Sequence, residues 1–177
     1  MQYFLWIAIF IGFSSVHLSA QNSQKFEQEV FQKTNAYRTS KNLPPLIWNT
    51  AMTELAHTHS AVLAEQEETK HSGASQRFEA LREIYPGMTA FGENVAFNFG
   101  FSNPVDQALK GWLKNPKHRG NILGDFTHTG IGVFVDKSGK IYFTQIFGKI
   151  TDESLEKTSS KNSPPHNKQT QATFIFD

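Results

Sequence analysis

The chain contains no cysteine. That absence excludes a disulfide scaffold, a zinc ribbon, a thiol nucleophile, a CxxC redox site and a lipid-modified N-terminal cysteine. An excess of charge of either sign is also missing: 17 Lys and Arg stand against 16 Asp and Glu, a net +1. No bulk field therefore draws the chain to nucleic acid or to an anionic bilayer, and no nucleic-acid partner is expected. Neither HExxH, GxSxG nor a P-loop occurs. Gly130-Ile131-Gly132 lies in a strand pattern without a third glycine or a following helix, which argues against a dinucleotide site. No internal repeat is visible, and no apolar run reaches the ~20 residues of a spanning helix.

What is present begins with length. At about 150 residues per domain, 177 residues suggest one domain plus tails. Residues 3–13, YFLWIAIFIGF, are uncharged and apolar, and Leu18-Ser19-Ala20 is a small-residue end. The pattern fits a secretory signal peptide over residues 1–20, cleaved after Ala20, although no Lys or Arg precedes the run. The alternative is an uncleaved anchor or a buried helix. The expected location is therefore secreted, periplasmic or extracellular. Export without cysteine suits a bacterium better than a eukaryotic secretory pathway. From Thr151 the chain turns polar around Pro164-Pro165 and ends in Phe174-Ile175-Phe176-Asp177. Residues 151–177 read as a disordered tail. The working domain is 21–150.

Within it, 24–42 reads as a helix stopped by Pro44-Pro45, and Leu46-Ile47-Trp48 as an extended link. Asn49 is placed to cap a second helix running to about Gln66. Ser75 to Ile84 suggests a third. Asn103, Pro104 and Asp106 open the clearest helix, in which Val105, Ala108, Leu109 and Trp112 share one face and which Pro116 closes. Two β runs follow, His128–Val135 and 140–147, with the turn Asp136-Lys137-Ser138-Gly139 between them. Phe91–Phe97 offers a third strand. Helices first and a sheet late predict an α+β or layered α-β-α domain.

Chemistry could come from His71, Glu93 and His118, each in a polar segment. Two imidazoles and a carboxylate suit a divalent-metal site with open positions for water. They equally suit an acid/base pair. Solvated loop histidines and a capping glutamate are the bland alternative, because the spacings carry no local geometry. His59 lies on an apolar helix face and reads as a core histidine bonded to a backbone carbonyl. His57 and His128 are expected to face solvent or a loop, and His17 and His166 carry no assigned role.

Several stretches, taken in order, resemble the bacterial, cysteine-free branch of the CAP superfamily (cysteine-rich secretory proteins, antigen 5, pathogenesis-related 1; the SCP domain). They are Asn35-Ala36-Tyr37-Arg38 with Leu43-Pro44-Pro45-Leu46 and Trp48-Asn49, then Leu55-Ala56 with His59-Ser60, and His71-Ser72. Gly92-Glu93-Asn94-Val95-Ala96, Trp112, and Pro116-Lys117-His118-Arg119-Gly120-Asn121-Ile122-Leu123 follow, then Thr129-Gly130-Ile131-Gly132-Val133 and Thr144-Gln145-Ile146-Phe147-Gly148. The resemblance covers about residues 25–149. It implies a three-layer α-β-α sandwich, its central sheet mostly antiparallel, with a large open groove. It also implies that His71, Glu93 and His118 line that groove and that the histidines hold a divalent cation such as zinc, with Glu93 as ligand or behind one. The family's second acid is missing: Leu113, Lys114, Asn115 and Pro116 follow Trp112, and Lys117 replaces a glycine. A cation there is less fully neutralised, and an inward Lys117 would compete with it. Asn94 and Asn121 read as structural, and Gln145 as a strand residue able to face the groove. The implied function is a secreted module binding a lipid, peptide or glycan. A metal-assisted hydrolase or protease using His71, His118 and Glu93 is the second reading, and a surface protein with a vestigial cluster is the third.

Overall fold

The computed structural model describes residues 7–151, with side chains described from Gln21 onward. The tail reading for 152–177 lies outside the described residues, and the proposed leader falls partly there. Helix α1 spans Ile7–Ser40 without a break, so it begins well before the expected residue 24. No helix among the described residues is long and apolar enough to cross a membrane.

Strand β1 (Ile47–Trp48), α2 (Thr50–Gln66), α3 (Ala74–Ile84), β2 (Ala90–Asn98) and α4 (Pro104–Lys114) follow. Then come α5 (Pro116–Leu123), β3 (His128–Val135) and β4 (Ile141–Lys149). The Asn49 side chain caps α2 by accepting from Met52 N–H, as expected. Asn103 occupies the cap position of α4 but makes no side-chain cap bond. Pro116 closes α4 and also opens the unexpected α5, with Asn115 accepting from the N–H groups of Lys117 and His118. Proline at a first helical position is tolerated because its missing N–H would be unpaired there anyway.

The sheet order is β1-β3-β4-β2. β1 pairs parallel with β3, and the other two pairs are antiparallel, so the sheet is mixed and mostly antiparallel. Side-chain alternation gives it two distinct faces. Ile131, Val133, Phe143 and Phe147 pack with Val30 of α1, Val105 and Trp112 of α4, and Ile122 of α5. The opposite face presents Gly130, Gly132 and Gly148 to α2. A Cβ on Gly132 would lie 2.1 Å from the His57 nitrogen, and one on Gly130 2.3 Å from that of Thr53. Those glycines let the α2 backbone lie directly on the sheet. Met52 and Ala56 of α2, Leu81 of α3 and Ile146 of β4 complete that layer. The domain is thus an α-β-α sandwich with β2 at the sheet edge.

Candidate functional site

The site straddles that edge. Glu93, in β2, points to the α2 face, where it is buried. Its partner is Arg77 of α3: Nε donates to Oε2 at 2.7 Å and Nη2 to Oε1 at 2.8 Å. His71, in the loop before α3, places Nδ1 3.0 Å from Oε1. An ionised carboxylate only accepts, so Nδ1 of His71 carries the proton of this bond and Nε2 is the nitrogen it leaves free. Burial alone would raise the Glu93 pKa, but the bonds from His71 and Arg77 outweigh it and hold the group below its usual range.

His59, from α2, is buried and donates Nε2–H to the Lys70 carbonyl at 3.0 Å, with Glu93 Oε1 3.7 Å away. Burial lowers its pKa although Glu93 opposes the shift. The core-histidine reading of His59 therefore agrees with the structure. Its bond also anchors the loop that carries His71.

His118 comes from the other side of the edge. Asn115 and Pro116 set the first turn of α5, and His118 sits in that turn. Asn94 Nδ2 donates to the His118 carbonyl at 3.0 Å. Asn121 Nδ2 donates to the Glu93 carbonyl at 3.0 Å and to Asn94 Oδ1 at 2.9 Å. The two asparagines thus satisfy backbone groups and lock α5 to β2, matching their structural reading. The His71 and His118 ring centroids are 6.1 Å apart. Burial, then the neighbouring His71, lowers the His118 pKa, which favours its neutral form. The structure brings His71, Glu93 and His118 together, and Lys117 is exposed.

Three expectations are corrected. Gln145 does not face the groove: it is wholly buried on the α1 side, with Nε2 near Thr34 Oγ1 at 3.4 Å and Thr129 Oγ1 at 3.3 Å. His128 is buried at the start of β3, with the Thr127 hydroxyl 2.8 Å from Nδ1. His57 is half-exposed and meets Glu27 of α1, Nε2 to Oε1, at 2.7 Å. That bond raises its pKa against the effect of burial. Arg77 was not anticipated, since nothing in its sequence context marks it as a partner of Glu93.

From His118 an open groove of about 380 Å³ runs along β2 beneath α4. Val95, Phe97, Phe101, Gln107, Trp112 and His118 are among its lining residues. Trp112 Nε1 donates to the Val95 carbonyl at 2.9 Å and fixes the wall.

A metal finds two imidazoles here and no third protein ligand. Among the described residues no group of three or more His, Asp or Glu is gathered for a cation. Both Glu93 oxygens are already engaged. The donor set nonetheless suits a weakly held zinc-like ion, because the carboxylate behind His71 is the usual orienting partner of a metal-binding imidazole.

The pattern of the Cysteine-rich secretory protein family (CAP) matches residues 31–147. The Bacillus subtilis (strain 168) "Uncharacterized membrane protein YlbC" is 32% identical over 128 residues, 70% of this chain and 34% of that protein. "Uncharacterized protein YkwD" of the same organism is 29% identical over 127 residues, 70% and 48% of the two chains. The chain thus spans a third to a half of the length of these relatives. Among solved structures, an extracellular protein containing a SCP domain from Bacillus anthracis superposes with TM-score 0.60 at 29% identity, covering 74% of this chain and 42% of that one. An outer surface protein of Borrelia burgdorferi gives 0.63 at 17% identity, covering 72% and 94%, and shows the fold alone.

Proposed function

The chain belongs to the cysteine-rich secretory protein (CAP) family, and on that premise we propose that it is an exported binding module. Its groove takes a lipid, peptide or glycan, and His71 and His118 hold a divalent cation, zinc above others, at one end. The extracellular SCP-domain neighbour and the apolar residues 3–13 support export.

The observation that carries this reading is the engagement of Glu93. A hydrolase would need that carboxylate free to take a proton from water. Instead Arg77 grips both oxygens, and His71 donates to one of them. Such a carboxylate is a poor base and a good positioning group. It fixes the His71 ring through Nδ1, which leaves Nε2 for a ligand, while burial biases His118 neutral. Bound zinc would supply Lewis acidity and an ordered water. His71 and His118 would hold it, and Glu93 would orient His71 from behind.

The test is metal content after equilibration with zinc, magnesium or calcium. His71→Ala with His118→Ala should abolish zinc uptake while the melting curve stays cooperative. Unchanged metal content would remove the proposed site. Organic extraction of the purified protein tests for lipid. Casein cleavage by the parent that disappears in the double variant would revive the hydrolase reading.

A further inference from the structure

Among the described residues, no Asp, Glu, Lys or Arg lines the groove that starts at His118. Yet the lining is not simply apolar. Thr69, Asn98, Gln107 and Asn115 bring a hydroxyl and three carboxamides to it. One of these amides is only half satisfied. Asn98 Nδ2 donates to the Pro104 carbonyl at 2.8 Å, which sets the orientation of the amide. Its Oδ1 then has no hydrogen-bond partner, although the residue is only 7% exposed. A buried acceptor left unpaired costs about 1–3 kcal/mol, so this one calls for a donor. Asn115 spends Oδ1 on the N–H groups of Lys117 and His118, which keeps its Nδ2 as a donor.

The α4 wall carries Gln107, Gly111 and the C-cap Asn115 at i, i+4 and i+8, one stripe of the helix. A glycine inside a helix costs about 1 kcal/mol relative to alanine. Packing does not call for this one, since a Cβ on Gly111 would meet nothing within 4 Å. What Gly111 provides is clearance over the helix backbone, on the side that lines the groove. Phe97 of β2 and Phe101 of the loop before α4 supply aromatic surface, 53% and 52% exposed. One face of the Phe97 ring is stacked on Tyr142, with centroids 5.9 Å apart and planes 25° apart. That support makes the ring a fixed platform.

These features separate the three ligand classes. An extended peptide would add to the free edge of β2. There Asn121 and Trp112 already occupy the outward carbonyls of Glu93 and Val95, so no continuous ladder can form. An acyl chain would desolvate Asn98 and Gln107 without offering a donor, and a fatty acid carboxylate would find no lysine or arginine in the lining. A neutral sugar offers hydroxyl donors and acceptors to the amides, and C–H faces to the negative faces of the rings. Resting on the reading of the chain as a binding module, we propose that the groove takes a neutral glycan. Its sugar faces lie on Phe97 and Phe101, and its hydroxyl or acetamido groups meet Asn98, Gln107 and Asn115. The groove's 380 Å³ falls within the range of about 300–1,000 Å³ usual for small-molecule sites.

The test titrates the full chain calorimetrically with cellotetraose, mannotetraose, maltotetraose and N-acetylated chitotetraose. Tetragalacturonate, palmitate and a mixed-sequence hexapeptide pool run beside them. At least one neutral tetrasaccharide should bind, and tetragalacturonate should bind far more weakly. Gly111→Gln fills the clearance over α4, and Phe101→Ala removes an exposed ring. Each should weaken sugar binding at least about fivefold, the worth of one good contact. The melting temperature of Gly111→Gln should not fall, because its side chain meets nothing in the fold. Zinc uptake should be unchanged in both variants. Failure of all four neutral sugars to bind overturns the proposal. If hexapeptides or palmitate bind instead and Gly111→Gln abolishes that binding, the module reading stands and the glycan assignment falls. If none of the three classes binds, both fall. Sugar binding untouched by either variant lies outside the groove and also overturns the proposal, as does tetragalacturonate binding as tightly as the neutral sugars.

Discussion

Removing Arg77 should destabilise the domain by about 3 kcal/mol. The Glu93 carboxylate has a side chain only 3% exposed and receives two charged hydrogen bonds from Arg77. Breaking a buried pair from one side typically costs about 3–5 kcal/mol, because an uncompensated charge stays behind. Here His71 still donates to Oε1, which places the cost at the lower end of that range. Arg77→Met keeps most of the aliphatic stem and removes only the guanidinium. Glu93→Gln removes the charge from the other side. The pair Arg77→Met with Glu93→Gln should cost clearly less than the sum of the two single changes. Urea unfolding of the four proteins, compared at constant m-value, gives the coupling energy. A loss below about 1 kcal/mol for Arg77→Met, or strict additivity in the cycle, would refute the claim that Glu93 is held as a buried, committed carboxylate. It would also reopen Glu93 as a free base.

Four further outcomes follow from the geometry. His57 has its pKa raised by Glu27, so its contribution is complete below the unfolded value near 6.5 and is lost as the pH rises through the higher folded value. With the ring 43% exposed, screening limits that contribution to under about 1 kcal/mol, and the melting-temperature penalty of His57→Gln should fade between pH 6 and pH 8.5. Gly132→Ala should cost about 3 kcal/mol or prevent folding, since its Cβ would lie 2.1 Å from the His57 nitrogen. Gly111→Ala, with nothing within 4 Å, should be neutral or stabilising by up to about 1 kcal/mol in the same thermal melts. Arg38→Lys should lower the urea midpoint nearly as much as Arg38→Met, because an ammonium cannot reproduce the planar fork that serves four carbonyls. A lysine variant as stable as the parent would contradict that geometry.

Much of the fold was legible where one element decides its own shape. The stripe Val105, Ala108, Leu109, Trp112 specifies α4 because a single helix face is buried. The β3–β4 hairpin follows from alternation around Asp136–Gly139. Helix α5 was not legible: its eight residues include Lys117, Arg119 and Gly120, and what holds it is the Asn115 cap, one buried Ile122 and the bonds of Asn94 and Asn121 to distant backbone. Nor were the contacts set by distant elements. His57 does point away from the apolar face of α2, as its position on the helix dictates, but α1 delivers Glu27 to that side. Arg77 meets Glu93 only after α3 packs beside the sheet. Of the site, His71, Glu93 and His118 stood out as candidates in polar segments, but their convergence was implied by resemblance alone. Why two of them touch became visible only from β2 being the edge strand, reached from the α2 face by one loop and from the α5 side by the other.

The missing cysteines also acquire a physical counterpart. A small exported domain often closes its long loops with disulfides, which act largely by restricting the unfolded chain. This chain closes comparable loops with a buried guanidinium. Arg38, 1% exposed, donates to the carbonyls of Pro44, Ile122, Gly124 and Phe126, joining the end of α1 to the connection before β3. Burial depresses its pKa, and Asp125 gives partial compensation. Such a clamp exists only when its acceptors are in place, so it adds nothing to any partly folded state. Together with an α2 backbone seated directly on Gly130 and Gly132, it makes the two helical layers depend on each other through one sheet. The groove edge benefits from that arrangement. Asn94, Asn121 and Trp112 can hold β2, α4 and α5 in register only because the layers behind them do not slide.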